Sequence, residues 1–160
     1  MSLHLQVKLA AQELTLWEGS KLLAAYPVST AKNGSGQLSG SECTPLGRHR
    51  IRLKIGEKCP LNTVFVGRRP TGEIYTPELG RKYPDRDWVL TRILWLDGLE
   101  PGKNRGGDCD TLKRLIYIHG TDQELLLGQP VSHGCIRMNN NDLIKLFDAV
   151  SRNYIVNIHQ

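Results

Sequence analysis

Apolar and polar residues alternate through much of the first half of the chain. From residue 3 to residue 9 every second residue is Leu or Val, the period of two that predicts a half-buried strand. Further strands are predicted from Leu14 onward, over 22–28 and over 49–55. The last of these carries Arg and Lys between its apolar residues, so we expect it to have one wet, basic face.

The second half is less regular. Residues 56–87 and 97–110 are rich in Gly, Pro and charged residues and predict loops with short strands. Apolar runs predict strands over 88–96, 115–118 and 154–158. The strand over 115–118 would deliver the histidine that follows it at its end.

One helix is predicted near the C-terminus. Asn141 and Asp142 are expected to cap it, and its apolar residues recur at helical spacing on one face. These residues are Leu143, Leu146, Phe147 and Val150. Many short strands and one helix indicate a mainly β domain, and no repeat or linker divides residues 1–160, so we predict a single domain. Periodicity does not distinguish a sandwich from a barrel.

Composition narrows the classes of function. With 39% hydrophobic and 23% charged residues, the chain is typical of neither a disordered nor a membrane protein. A net charge of +5 suits small anionic substrates or nucleic acid. The sequence has no nucleic-acid motif and no dense basic block, so we expect neither a nucleic-acid nor a membrane partner.

The chemistry centres on two short segments, Ile118–Thr121 and Ser132–Met138. Cys135 lies among small and polar residues and is the candidate nucleophile. His119 is the candidate base, and we expect its imidazole to hold the cysteine as a thiolate. Twelve residues separate His119 from Ser132, so one loop can bring the two groups together.

Neighbouring residues suggest supporting roles. The backbone amides of Gly134 and Cys135 are candidate donors to an oxyanion, and Gly134 permits a close backbone approach. Ser132 and His133 are expected to support the site rather than to react. Arg137 either grips a substrate carboxylate or braces the loop, and both alternatives stay open.

Other interpretations of the same atoms are weaker. His119, His133 and Cys135 offer three zinc ligands, but the paired spacing of zinc sites is missing, so we expect no metal. Arg81 and Arg105 are candidates for binding a carboxylate or phosphate, although a solvated charged loop is the favoured alternative. The remaining cysteines are expected to be free thiols; they are Cys43, Cys59 and Cys109.

The two segments, His-Gly and then Ser-His-Gly-Cys-Ile-Arg, resemble the signature of the L,D-transpeptidase catalytic domain, or YkuD, family. Two further blocks, Tyr26–Thr30 and Thr44–Gly47, follow the order of that family. The resemblance implies a β-sandwich with few helices and a catalytic loop at one edge. It also implies that a backbone carbonyl orients the base, a place that Gly120 occupies here.

The resemblance further implies a substrate, the tetrapeptide stem of peptidoglycan or a muropeptide, and no cofactor. The cysteine would attack the bond between the diamino acid and D-Ala and form a thioester. An amine acceptor would give a cross-link, whereas water would give a tripeptide, the reaction of an L,D-carboxypeptidase.

The N-terminal residues lack the basic and then apolar pattern of a secretory signal. If Met1 is the natural start, we therefore expect a cytoplasmic L,D-carboxypeptidase of peptidoglycan recycling. If the sequence is trimmed, a periplasmic transpeptidase that forms cross-links is the alternative. A non-catalytic module that binds cell-wall peptides is an alternative of another class. The oligomeric state stays open.

Overall fold

The computed structural model describes residues 3–160, and the chain is mainly β, as its sequence predicts. The strands are β1 Leu3–Lys8, β2 Glu13–Glu18, β3 Lys21–Ser29, β4 Gly47–Ile55, β5 Thr63–Val66, β6 Arg69–Ile74, β7 Val89–Gly98, β8 Tyr117–Gly120, β9 Ile136–Met138 and β10 Ile155–His159. The helices are α1 Pro77–Lys82 and α2 Asn140–Ala149, and single 3₁₀ turns lie at Gly107–Cys109 and Glu124–Leu126.

Strand pairing closes the sheet on itself. Eight strands follow one another in the order β4-β10-β1-β2-β3-β9-β8-β7, and β7 pairs again with β4. The hairpin β5–β6 is attached to the outside of this ring through β7. Nearly all neighbours are antiparallel, but β1 with β10 and β8 with β9 are parallel pairs.

The ring encloses one main hydrophobic core. Side chains from all eight of its strands and from α2 meet there, and most of them are fully buried. Helix α2 contributes Leu143, Leu146 and Phe147, and the residue that caps its C-terminus contributes the fourth predicted side chain, Val150. Burial of this kind stabilises a fold by about 25 cal/mol per Å² of apolar surface. Among residues 3–160, no helix has the length and apolar character that crossing a membrane requires.

A smaller apolar cluster lies on the other face of the sheet. It consists of Phe65, Ile93 and Tyr117, with Trp95 and Cys135 packed against them. Phe65 belongs to the β5–β6 hairpin, so the hairpin covers part of this outer face. The candidate nucleophile therefore lies at the border of an apolar cluster.

Most predicted strands are confirmed, and the corrections fall near the motif. Strand β8 runs over Tyr117–Gly120, so His119 lies within it rather than after its end. The segment after Cys135 forms β9, which the sequence did not predict. Helix α2 is capped by Asn139, whose side chain accepts from two backbone N–H groups, and not by Asn141 and Asp142.

Candidate active site

The parallel pair β8–β9 collects the motif residues on one face. His119 pairs in register with Arg137, and Ile118 pairs with Ile136. Successive side chains of a strand point to opposite faces, and paired residues share a face. Because Ile118 and Ile136 belong to the main core, His119, Arg137 and Cys135 lie together on the opposite face.

Cys135 and His119 line the same cavity. Its volume is about 160 Å³, and its walls include Ser132, His133 and Arg137 as well. The structure thus brings together the nucleophile and base that the sequence proposes. Pro130 and the rest of the intervening segment lead the chain from the end of β8 back to the start of β9.

His119 is held in a defined orientation. Its ring is 2% exposed, and Nδ1 lies 2.7 Å from the carbonyl oxygen of Gly120. A carbonyl only accepts hydrogen bonds, so Nδ1 carries the proton and Nε2 keeps its lone pair. Burial lowers the pKa of His119 below its ordinary value, although the Gly120 carbonyl opposes this. A neutral imidazole with a free Nε2 can accept a proton.

Gly120 is required by its surroundings. A Cβ at this position would collide with the side chain of Asn140 and would lie 2.7 Å from the carbonyl oxygen of Leu90. The expected role of Gly120 as the orienting carbonyl agrees with this geometry, since the base and the glycine that holds it are adjacent in β8.

The sulfur of Cys135 contacts two backbone groups. Its Sγ accepts from the N–H of Tyr117 at 3.3 Å and donates to the carbonyl of Leu115 at 3.4 Å. Burial raises the pKa of the Cys135 thiol to about 12, and the Tyr117 N–H only partly opposes this. A raised pKa of the Cys135 thiol beside a lowered pKa of the His119 imidazole favours a neutral pair over the expected resting thiolate.

The loop before Cys135 is fixed by side chains. Ser132 Oγ donates to the carbonyl of Cys135 at 2.6 Å and accepts from the N–H of Gly134 at 3.2 Å. Thr44 Oγ1 donates to the carbonyl of Gly134 at 2.9 Å and accepts from Ala31 N–H at 3.0 Å. The N–H of Ser132 also donates to the carbonyl of Thr30 at 2.9 Å, so each of the two N-terminal blocks holds the loop that carries the nucleophile.

The two candidate oxyanion donors differ. The N–H of Gly134 is already bonded to Ser132, which leaves the N–H of Cys135 as the candidate of the pair. Gly134 has φ +129°, and a Cβ there would lie 3.2 Å from the carbonyl oxygen of Cys43. This position therefore needs glycine for both its conformation and its space.

Arg137 is buried in the cavity wall and has partners within the chain. Its guanidinium donates to Gln123 Oε1 at 3.1 Å and lies 3.7 Å from Asp87 Oδ1. Since Asp87 is largely exposed, this ion pair is weakly held. Arg137 braces the segment after β8 here, and it also faces the space beside Cys135.

Neither Arg81 nor Arg105 lines this cavity. Arg81 lies exposed on α1. Arg105 donates to the carbonyl of Gly98, at the far end of β7, and lies 3.6 Å from Asp97. The structure therefore leaves both arginines outside the candidate site. His133, in contrast, is exposed and lies at its rim.

Sequence reasoning missed four polar residues in the site and its surroundings. Asp87, in the segment expected to be loop, lines the cavity and also a second one of about 320 Å³ that shares His133 and Arg137 with it. Asp122 lies in this second cavity, and burial raises the pKa of its carboxyl group. No spacing in the sequence indicates Asp87, because it reaches the site from a distant loop.

The other missed residues are buried and polar. Asn140 packs against Gly120, and a hydrogen bond of 2.5 Å joins it to Thr91. Both are polar residues within a strand or helix, and this position was the one feature of the sequence that could have indicated them. Within residues 3–160, no group of three or more His, Cys, Asp and Glu side chains has the arrangement of a metal site.

Comparison with known proteins agrees with this geometry. The model of the L,D-transpeptidase catalytic domain, YkuD, matches residues 2–158. A Bacillus subtilis protein that bears the name L,D-transpeptidase YkuD is 25% identical over 158 residues, which cover 98% of this chain and 66% of that protein. The Escherichia coli K12 protein that bears the name L,D-transpeptidase YbiS is 31% identical over 100 residues, covering 61% of this chain and 32% of its own length.

Solved structures share the fold. L,D-transpeptidase 3 from Mycobacterium tuberculosis, in complex with a faropenem-derived adduct, matches with a TM-score of 0.61 at 16% identity, over 99% of this chain and 60% of that one. The chain thus spans less than two thirds of the length of each of these three proteins.

Proposed function

This chain belongs to the L,D-transpeptidase catalytic domain family of peptidoglycan enzymes, and we propose that it is a cysteine acyltransferase. Its substrate in this proposal is a peptidoglycan tetrapeptide stem, free or within a muropeptide, and the bond attacked joins the diamino acid to the terminal D-Ala. One observation carries the proposal: Cys135 and His119 lie on the same face of β8–β9 and line one cavity.

The proposed reaction starts from a neutral pair. As Sγ of Cys135 attacks the carbonyl carbon, the thiol proton passes to Nε2 of His119, and an oxyanion forms. The Cys135 N–H is the candidate donor to this oxyanion, and such donors stabilise a transition state by about 3–4 kcal/mol. When the C–N bond breaks, His119 returns the proton to the leaving amine, so that D-Ala departs and a thioester remains.

For the second step we propose water as the acceptor, which makes the enzyme an L,D-carboxypeptidase. The departure of D-Ala leaves His119 neutral again and able to take a proton from water. The cavity at Cys135 is small, about 160 Å³, and an acyl chain would fill most of it. A water molecule occupies about 30 Å³, so it needs little of the remaining space. The proposal includes a cytoplasmic setting, in which stems recovered from wall turnover are trimmed.

Cross-linking is the second candidate. The adjoining cavity of about 320 Å³ shares three lining residues with the first and offers room for an amine-bearing stem. The relatives' names also favour transpeptidation. The two candidates differ only in which nucleophile reaches the thioester.

Products from a defined tetrapeptide test both candidates. Mass spectrometry should detect D-Ala and tripeptide in equal amounts, and Cys135→Ala should form neither. Cys109→Ala is the matched control, because Cys109 is also a half-buried free thiol but lies in a 3₁₀ turn outside both cavities. Formation of cross-linked dimers without tripeptide would refute hydrolysis and support cross-linking. Fractionation of host cells tests the setting, and recovery of the native protein outside the cytoplasm would refute it.

A covalent probe tests the nucleophile separately. Because a solved relative carries a faropenem-derived adduct, we expect faropenem to add its mass to this protein at Cys135. Cys109→Ala should be labelled as the unsubstituted protein is, and Cys135→Ala should keep its mass. Labelling of Cys135→Ala at an unchanged rate would refute the assignment.

A further inference from the structure

We propose that Asn140 and Thr91 are positioning residues that hold the Gly120 carbonyl against His119 and thereby decide which ring nitrogen of His119 carries the proton. The inference rests on the proposed role of His119 as the base. It concerns two buried polar residues that do not line the cavity at Cys135 and that come from distant parts of the chain.

Asn140 joins three elements at the back of the base. It is the first residue of α2, and it is 4% exposed. Its Nδ2 donates to the carbonyl of Thr121 at 2.8 Å, and its backbone N–H donates to Glu124 Oε2 at 3.1 Å. Its Oδ1 accepts from the hydroxyl of Thr91. The amide thus ties the start of α2 to the residue that follows β8.

Thr91 adopts a backbone conformation that a β-branched residue rarely adopts. Its φ is +75°, in the left-handed region, and among the non-glycine residues of 3–160 in that region it is the β-branched one. It is fully buried, and the pairing of β7 with β8 is irregular there, between Leu90 and Ile93. Its hydroxyl donates to Asn140 at 2.5 Å and accepts from Asn62 N–H at 3.1 Å. This strained turn keeps the hydroxyl bonded to Asn140.

Gly120 is confined between these groups. The space where a Cβ would lie is filled by the Asn140 side chain and by the Leu90 carbonyl, which precedes Thr91. Asn140 therefore packs against Gly120 and bonds the next residue, Thr121, so the peptide group between Gly120 and Thr121 cannot turn freely. The oxygen of this peptide group is the acceptor for His119 Nδ1, at 2.7 Å.

The chemical consequence concerns the tautomer. If the Gly120 carbonyl turned away, Nδ1–H would lose its acceptor, and the tautomer with the proton on Nε2 would gain population. In that tautomer Nε2 has no lone pair for the thiol proton, so the pair could not react. A buried hydrogen-bond network on α2 and β7 thus keeps the base in its useful form.

The first test reads the tautomer directly. In protein labelled with ¹⁵N-histidine, His119 should show one protonated nitrogen, Nδ1, by NMR. Thr91→Val, which removes the hydroxyl and keeps the branched shape, should populate the Nε2–H form or broaden the signals. Thr91→Ser should restore the unsubstituted spectrum. Asn140→Asp is a second variant, because it loses the donor to Thr121 and keeps the side-chain size.

Thr111→Val provides the matched control. Thr111, like Thr91, is a fully buried threonine, and its hydroxyl lies 2.9 Å from Nε2 of a different histidine, His49. This substitution should shift the signals of His49 and lower stability, and leave those of His119 unchanged. Any effect common to Thr91→Val and Thr111→Val on His119 would show a general loss of stability and would overturn the proposal.

The second test is the rate of labelling by faropenem. We expect Thr91→Val to lower it about tenfold or more, because misplacement or the wrong tautomer disables the base. Thr91→Ser should recover most of it. An altered tautomer with an unchanged rate would support the positioning role and refute His119 as the base. An unchanged tautomer in a folded Thr91→Val protein, with Asn140→Asp unchanged as well, would overturn the inference.

Discussion

Cys135 should react slowly with iodoacetamide at neutral pH, in spite of its proposed role as a nucleophile. Burial raises the pKa of its thiol to about 12, and the sulfur donates to the Leu115 carbonyl, a bond that favours the protonated form. Burial also lowers the pKa of His119, so the imidazole does not supply a positive charge at rest. The substrate must therefore be in place before the proton moves.

The size of the effect follows from the pKa of Cys135. Relative to an ordinary value of 9.0, a shift to about 12 lowers the thiolate fraction about a thousandfold. A more basic thiolate is intrinsically more nucleophilic, with a Brønsted slope of about 0.4–0.5, which returns a factor of about 16–32. The alkylation rate should thus be about 30- to 60-fold below that of an unperturbed, accessible thiol, and it should rise with pH beyond about 9.

The assay is the alkylation rate of each cysteine, measured by mass spectrometry of peptides over a range of pH. A small thiol of ordinary pKa supplies the reference rate. His119→Gln should change the slow rate of Cys135 little, because a neutral imidazole does not stabilise a thiolate. Faropenem labelling should instead be fast near neutral pH and should lose rate as acid protonates His119. Its acid limb should lie below about pH 6.5, because burial lowers the pKa of His119.

A resting thiolate–imidazolium pair would give the opposite result. Alkylation would then be faster than the reference near pH 6, would change little with further increase in pH and would fall sharply in His119→Gln. That outcome would refute the neutral pair, although it would leave the cysteine assignment intact.

The remaining predictions concern stability and the loop. Burial lowers the pKa of His49 to about 4, while in the unfolded chain it is about 6.5, so stability should fall by up to about 3 kcal/mol as pH falls between these values; urea titration should show a flatter profile for His49→Gln. Ser132→Ala should cost about 1–2 kcal/mol and slow faropenem labelling, because two bonds of the nucleophile loop are lost; unchanged stability and labelling would contradict this. Gly120→Ala should cost about 1–3 kcal/mol by overpacking, measured by thermal unfolding, and an unchanged midpoint would contradict the crowding seen there.

The sequence predicts elements that repeat long enough to show a period. Strands β1 and β4 and helix α2 carry alternating or helical patterns over six to ten residues, and they were found close to the predicted bounds. Strand β9 has only three residues, and helix α1 has six, none of which is buried. Neither element therefore carries a recognisable pattern of apolar and polar residues. Both depend on tertiary contacts that a local window does not contain.

The residues of the candidate site that lie close together in the sequence were predictable, and those that come from distant segments were not. Cys135, His119 and Gly120 belong to a motif whose residue types predict acyl transfer. Thr91 has a left-handed backbone conformation near the start of β7, and Asn140 lies in the first turn of α2, and no local pattern marks either position. The protonation of Cys135 is not local either, since its pKa depends on burial, which appears only when the chain is folded.

The packing of the core also determines the geometry of the site. Ile118 and Ile136 point into the main core, and the alternation of strands then places His119 and Cys135 on the opposite face. A slip of β9 by one residue would expose Ile136 and carry the cysteine into the core, so the apolar contacts that stabilise the fold also select the catalytic register. The parallel pairing of β8 and β9 also contributes to this register. Because the two strands run in the same direction, the motif segment that contains His119 and the one that contains Cys135 lie side by side. The motif is therefore functional only as part of the closed sheet.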